Sequence, residues 1–134
     1  LVDDRPVPGD YNGDGRADPA VFRSSSSSGV WYIRGISQKA WGLAGDCVAP
    51  GDYDGDGTTE ISLFRSAVGR WYTLGSGSVV FGRSGDIPVV IDCEGDGTQD
   101  RALYRPSEGR WYIYGVTAIS YGTNVDQPVV GRIY

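Results

Sequence analysis

Trp31, Trp71 and Trp111 stand 40 residues apart, and Gly42, Gly82 and Gly122 and then Asp46, Asp86 and Asp126 keep the same interval. A fixed period of this length constrains the fold more than composition does. Each unit is one supersecondary piece that cannot bury its apolar face alone, so stacked neighbours share a continuous core. Each unit opens on a short run ("PVPGD", "VAPGD", "PVVID") that leads into an acidic loop. Then come "AVFR", "SLFR" or "ALYR", a Gly-containing turn, "VWYIRG", "RWYTLG" or "RWYIYG", and a last run ending at "AWG", "VFG" or "SYG". The first loop is displaced by two because the Ser24–Ser28 run lengthens one connection.

Four short β-type runs per period, with aromatic and glycine punctuation, predict an all-β chain of three four-stranded β-propeller-type blades or comparable β-meander units. The units cover about 5–46, 47–86 and 87–126, with an additional strand at 127–134, in one repeat domain spanning 1–134. No stretch has the 3.6-residue periodicity of a helix.

The acidic loops carry the chemistry. Asp52, Asp54, Asp56 and Glu60 lie within nine residues with glycines between them. Unit charges about 4 Å apart repel by roughly 4 kcal/mol at an effective dielectric near 20, so such a loop needs compensation. Oxygen side chains at positions 1, 3, 5 and 9, with Gly at 4 and 6, suit a hard cation that takes oxygen ligands. Calcium fits, whereas zinc or copper would want His or Cys. The same pattern recurs as Asp10, Asn12, Asp14 and Asp18 and as Asp92, Glu94, Asp96 and Asp100. One copy is explained by a solvated turn, because Asp-Gly and Asn-Gly are strong turn formers. No turn requires an acidic residue at position 9, and here it appears three times.

Of the 17 acidic residues, 3, 4 and 4 fall in the successive loops, so the 12 Lys and Arg outnumber what remains. Three divalent ions would carry the formal charge from −5 past zero. The acidity is local and argues for no basic partner. The loops are not EF-hands: position 12, a bidentate Glu in that motif, is Val21, Leu63 or Leu103, and strands rather than helices follow.

At this point the repeats resemble the FG-GAP/VCBS type, the family that includes the blades of the integrin α-subunit propeller. The likeness covers nearly the whole chain. It is fullest in "FGRSGDIPVVIDCEGDGTQDRALYRPSEGRWY", with Phe81-Gly82, the acidic loop and the Arg-Pro-Ser turn before Gly and Trp. The resemblance implies up to three calcium ions, one per loop, held by side chains at positions 1, 3, 5 and 9 and by the backbone carbonyl at position 7. Those carbonyls belong to Arg16, Thr58 and Thr98. Asn12 removes one charge from the first site, and Cys93 with Glu94 makes the third bulkier.

Closed propellers usually have about four to eight blades, so three units belong to a longer array or complete themselves between molecules. "DQPVVGRIY", Asp126 to Tyr134, starts a fourth unit in register with "GDIPVVID" and has no acidic loop after it. The expectation is that Pro128–Tyr134 adds to a sheet of another protomer, with Val129 and Ile133 on the buried face, giving a homo-oligomer or filament. A simple domain-boundary cut is the plain alternative.

No apolar run is long enough for a membrane span and no signal peptide is visible, so the chain reads as a mature soluble protein. Calcium-filled loops of modest affinity point to a secreted or cell-surface location. Cys47 and Cys93 sit at different repeat positions, and either a disulfide between neighbouring units or two unrelated buried thiols fits them. The Trp-Tyr pairs at 31/32, 71/72 and 111/112 face opposite sides of a strand, as core and flank or as a sugar-stacking surface. Arg23, Arg65 and Arg105 occupy equivalent places, where ion pairing with a carboxylate explains them. The Ser24–Ser28 run is a flexible turn and, in an exported chain, a candidate for O-linked sugar. With no His, triad and Cys-His catalysis are excluded. Paired carboxylates within one turn suit an ion better than a glycosidase, and nothing resembles a phosphate loop or a nucleic-acid patch. The sequence thus predicts a non-enzymatic, calcium-stabilised structural repeat protein, with a carbohydrate- or protein-binding propeller module as the alternative.

Overall fold

Side-chain alternation shows where the strands lie. From Gly29 to Ile33 the odd residues are buried and Val30 and Tyr32 are half-buried, the period of two that a strand with one covered face demands. In the computed structural model, which describes residues 4–115, 119–123 and 125–129, such segments form three four-stranded antiparallel sheets. The first contains β1 (Asp4–Pro6), β2 (Ala20–Ser24), β3 (Gly29–Ile33) and β4 (Ser37–Ala40). The second contains β5 (Cys47–Val48), β6 (Ser62–Arg65), β7 (Arg70–Thr73) and β8 (Gly77–Val80). The third contains β9 (Ile87–Ile91), β10 (Asp100–Arg105), β11 (Arg110–Ile113) and β12 (Ile119–Ser120). In every sheet the strands neighbour one another in chain order, so each is a meander. The chain is all-β: among the described residues the one helical element is a short 3-10 turn at Ser66–Val68. No helix there is long and apolar enough to cross a membrane.

The core is built twice over from one aromatic pair and one leucine. Phe22 lies opposite Trp31 and Phe64 opposite Trp71, with ring centroids 5.3 and 5.4 Å apart. The first pair packs with Leu63 of the second sheet and Ile61 just before β6, the second with Val90 and Leu103 of the third. Gly42 and Gly82, at φ of 109° and 112°, make this approach possible. A Cβ at either would sit 2.5 Å from the incoming Leu63 or Leu103 Cδ1. Glycine is required there both by the left-handed backbone and by the contact.

A second repeated unit ties each sheet's first strand to its second. Arg65 donates two hydrogen bonds to Asp46, at 2.8 and 2.7 Å, and Arg105 does the same to Asp86, at 2.7 and 2.8 Å. Arg23 pairs likewise with Asp4 and holds its carboxyl down at about 2. The three guanidinium groups lie over Tyr32, Tyr72 and Tyr112, 4.7, 4.5 and 4.2 Å from the ring centroids. Asp46 and Asp86 also accept the turn N–H of Leu43 and Arg83. The carboxylate partners expected for these arginines are therefore present.

Both cysteines are free thiols, Cys47 half-buried and Cys93 exposed, so neither the disulfide nor two fully buried thiols describes them. Of the expected additional strand, Pro128 and Val129 are described and lie outside any strand, and Val130–Tyr134 lie outside the described residues.

The Arg105–Asp86 pair is the more enclosed, with side chains 13% and 1% exposed. Asp86→Ala leaves the Arg105 guanidinium with only Glu108 and the Arg83 turn N–H with no acceptor, and should cost about 3 kcal/mol in urea unfolding. A cost below about 1 kcal/mol would show the pair to be dispensable.

Candidate metal centre

The acidic loops are the β1–β2, β5–β6 and β9–β10 connections. The first two are closed at the neck by the backbone pairs Gly9–Asp18 and Gly51–Glu60, and in the third β9 and β10 themselves run up to Ile91–Asp100. Two glycines per loop, Gly13 and Gly15, Gly55 and Gly57, Gly95 and Gly97, take φ of 73–85°, which the tight winding needs.

The position-1 carboxylates organise this winding. Asp10 accepts from Gly13, Asp14 and Gly15; Asp52 from Gly55 and Gly57; Asp92 from Gly95, Asp96 and Gly97. At position 3, Asn12 and Asp54 accept from the backbone two residues on. At position 5, Asp14, Asp56 and Asp96 accept from the N–H groups of Arg16, Thr58 and Thr98 at 2.9, 2.7 and 2.9 Å. The position-9 carboxylates of Asp18, Glu60 and Asp100 reach back to the N–H of Tyr11, Tyr53 and Cys93. One oxygen of each ligand candidate at positions 5 and 9 is thus held by the backbone, and a carboxylate has a second to offer a cation.

The loops differ in what they bring together. In the second, single oxygens of Asp52, Asp54, Asp56 and Glu60 all lie within 4.8 Å of one another, a set of hard donors that could hold a metal ion and that fits calcium. In the third, Cys93, Glu94 and Asp100 make such a group without Asp92 or Asp96. In the first, Asp10, Asp14 and Asp18 form no such group, and Asn12 brings an amide in place of a carboxylate. The Cys93 thiol donates to Asp100 at 3.1 Å; desolvation and that carboxylate push it up to about 11, so it remains protonated at neutral pH.

Glu60 is the strained member. Burial, and after it the charges of Asp54, Asp52 and Asp56, raise its carboxyl to about 7 in the cation-free protein, against the opposing N–H of Tyr53. Asp92 is pulled the other way by the N–H groups of Gly97, Gly95 and Asp96.

Position 8 was not singled out from the sequence, because Ala17, Thr59 and Gln99 share no residue type. The Thr59 N–H donates to the Asp10 carbonyl at 2.7 Å and the Gln99 N–H to the Asp52 carbonyl at 2.8 Å, which links each loop to the next. Gln99 adds a side-chain bond to the Asp52 N–H. The position-1 carboxylates Asp10, Asp52 and Asp92 consequently border one open cleft of about 680 Å³.

Compared with known protein families, with curated proteins and with solved structures, the chain has no match in any of the three.

A raised carboxyl has a signed consequence. The folded chain holds the Glu60 proton more tightly than the unfolded chain does, so its stabilising effect is complete below about 4.5 and is lost as pH rises through about 7. In chelator, the parent should lose stability relative to Glu60→Gln across that window. A stability difference between the two that does not vary with pH would contradict the burial of Glu60 among like charges.

Proposed function

We propose that this protein is a non-enzymatic, calcium-stabilised extracellular repeat protein of the FG-GAP/VCBS type. Its three sheets serve as β-propeller-type blades, and its role is structural, as a subunit of a filament or surface array. One observation supports the reading: an oxygen of each of four carboxylates in the second loop lies within 4.8 Å of the others, on a backbone whose N–H groups bond to one oxygen of Asp54, Asp56 and Glu60 and to both oxygens of Asp52. Bound calcium supplies the positive charge that this set lacks. Asp52, Asp54, Asp56 and Glu60 would hold it, with Asp10, Asn12, Asp14 and Asp18 and then Asp92, Glu94, Asp96 and Asp100 as weaker or altered versions. The carbonyls of Arg16, Thr58 and Thr98 complete the three sets.

Self-association through residues after Asp126 belongs to the same reading. Asp126-Gln127-Pro128-Val129 repeats Asp4-Arg5-Pro6-Val7 except at its second residue. Val7 is 2% exposed in the first core cluster, and Val129, its counterpart, is 88% exposed. A segment whose sequence repeats β1 is suited to pair in the same place in another protomer's sheet. Exposed Tyr114 and Tyr121 favour the second reading, a carbohydrate- or protein-binding module, and saturable binding on a glycan array would select it. Ser25–Ser28 are exposed, as O-linked sugar requires.

Calcium at about 100 times its dissociation constant adds roughly 2.7 kcal/mol per independent site when only the folded chain binds. Melting should therefore rise steeply from chelator to millimolar calcium, and Asp56→Ala should forfeit much of that rise. Equal melting temperatures in the two conditions would reduce the loops to turns that the backbone N–H groups alone sustain.

Removal of residues 127–134 should leave a folded chain that no longer associates, and a synthetic Pro128–Tyr134 heptapeptide should stabilise it. A truncated chain that associates as the parent does would return this segment to its own domain.

A further inference from the structure

The two junctions between sheets use the same contacts in the same places, which makes the outer faces of the first and third sheets interpretable. At each junction a leucine of the following sheet, Leu63 or Leu103, covers the aromatic pair and the glycine of the preceding one. The position-8 N–H of the following loop donates to the position-1 carbonyl of the preceding loop. Trp31 and Trp71 are 0% exposed as a result. In the third sheet the pair is Tyr104 and Trp111, and among the described residues no following sheet covers it. Tyr104 is 1% exposed, its hydroxyl donating to the Thr123 carbonyl, but Trp111 is only half-buried, and the pair borders an open cleft of about 410 Å³ with Tyr121, Gly122 and the chain's own residues 126–129. At the other outer face, Val21 occupies the repeat position of Leu63 and Leu103. Among the described residues, neither the Asp92 carbonyl nor the Ala17 N–H bonds to another loop.

From these faces we infer that the outer face of the third sheet takes the first sheet of a second copy of this chain, with Val21 and Ala17 in the places of Leu63 or Leu103 and of Thr59 or Gln99. This rests on the self-association proposed above and names the surface that makes it. Two exchanges of size select this occupant over a generic repeat. Inside the chain, Gly9 faces Thr59 and Gly51 faces Gln99, and a Cβ on either glycine would lie 2.8 Å from that side chain. Ile91 replaces the glycine in the third unit, and Ala17 is the small partner that leaves it room. Likewise Phe22 and Phe64 each meet a leucine, whereas Tyr104 carries an added hydroxyl, placed 2.6 Å from where a Gly122 Cβ would stand. Val21 is one methylene shorter than leucine and compensates for it. Asp126, which accepts the Thr123 N–H as Asp46 and Asp86 accept theirs, then arrives beside Arg23 of the second copy as a rival to Asp4.

The test is sedimentation of the parent, Ala17→Gln and Ala17→Ser in millimolar calcium, with melting curves in calcium and in chelator. Gln already occupies this loop position at Gln99, so the loop accepts it, but at an Ala17–Ile91 contact it overpacks and should weaken association about 10- to 100-fold. The parent and Ala17→Ser should sediment as more than one chain, and Ala17→Gln should approach a single chain while melting as the parent does. A parent that is a single chain at several hundred micromolar, an Ala17→Gln chain that associates as the parent does, or loss of association in Ala17→Ser would each overturn the contact. Association that survives with no effect of calcium on melting would overturn the calcium reading and leave this contact standing.

Discussion

The aromatic pair at the centre of each sheet is too large for four short strands to enclose, and the packing of one sheet on the next follows from that. Trp31 and Trp71 reach zero exposure because a leucine from the following sheet closes over a glycine with a left-handed backbone. Burial of a side chain of this size is worth about 3 kcal/mol or more, so the junction rather than the single sheet is the stable unit. The acidic loops are carried by the same junctions, since the position-8 N–H of the second and third loops bonds to the carbonyl of the loop before it.

Electrostatics are arranged in two layers. On the strand side, Arg23, Arg65 and Arg105 are each matched to one aspartate and one tyrosine, so those charges are locally compensated. On the loop side, carboxylates meet backbone N–H groups, which compensate partial charge but no net charge. The raised Glu60 shows where that compensation falls short, in the loop with the most complete set of oxygens. The second loop accordingly holds the least compensated cluster of carboxylates.

Much of this was legible in the sequence because the signals were periodic. The 40-residue spacing of the tryptophans gave the number of sheets, and alternation through "GVWYI" gave the strand phase. The equivalent positions of Arg23, Arg65 and Arg105 pointed to ion pairs that the structure contains. Contacts made by the backbone were not legible. Ala17, Thr59 and Gln99 act through an N–H that every residue but proline has, so nothing in their side chains marks them. The convergence of Cys93 with Glu94 and Asp100, without Asp92 and Asp96, depends on loop winding that a one-dimensional pattern does not contain.

Calcium uptake measured by titration calorimetry on chelator-stripped protein tests the central claim most directly. Saturable uptake of up to three ions per chain, with one fewer in Asp56→Ala, is the predicted result. Absence of saturable uptake at millimolar calcium, or the same stoichiometry in Asp56→Ala as in the parent, would contradict it.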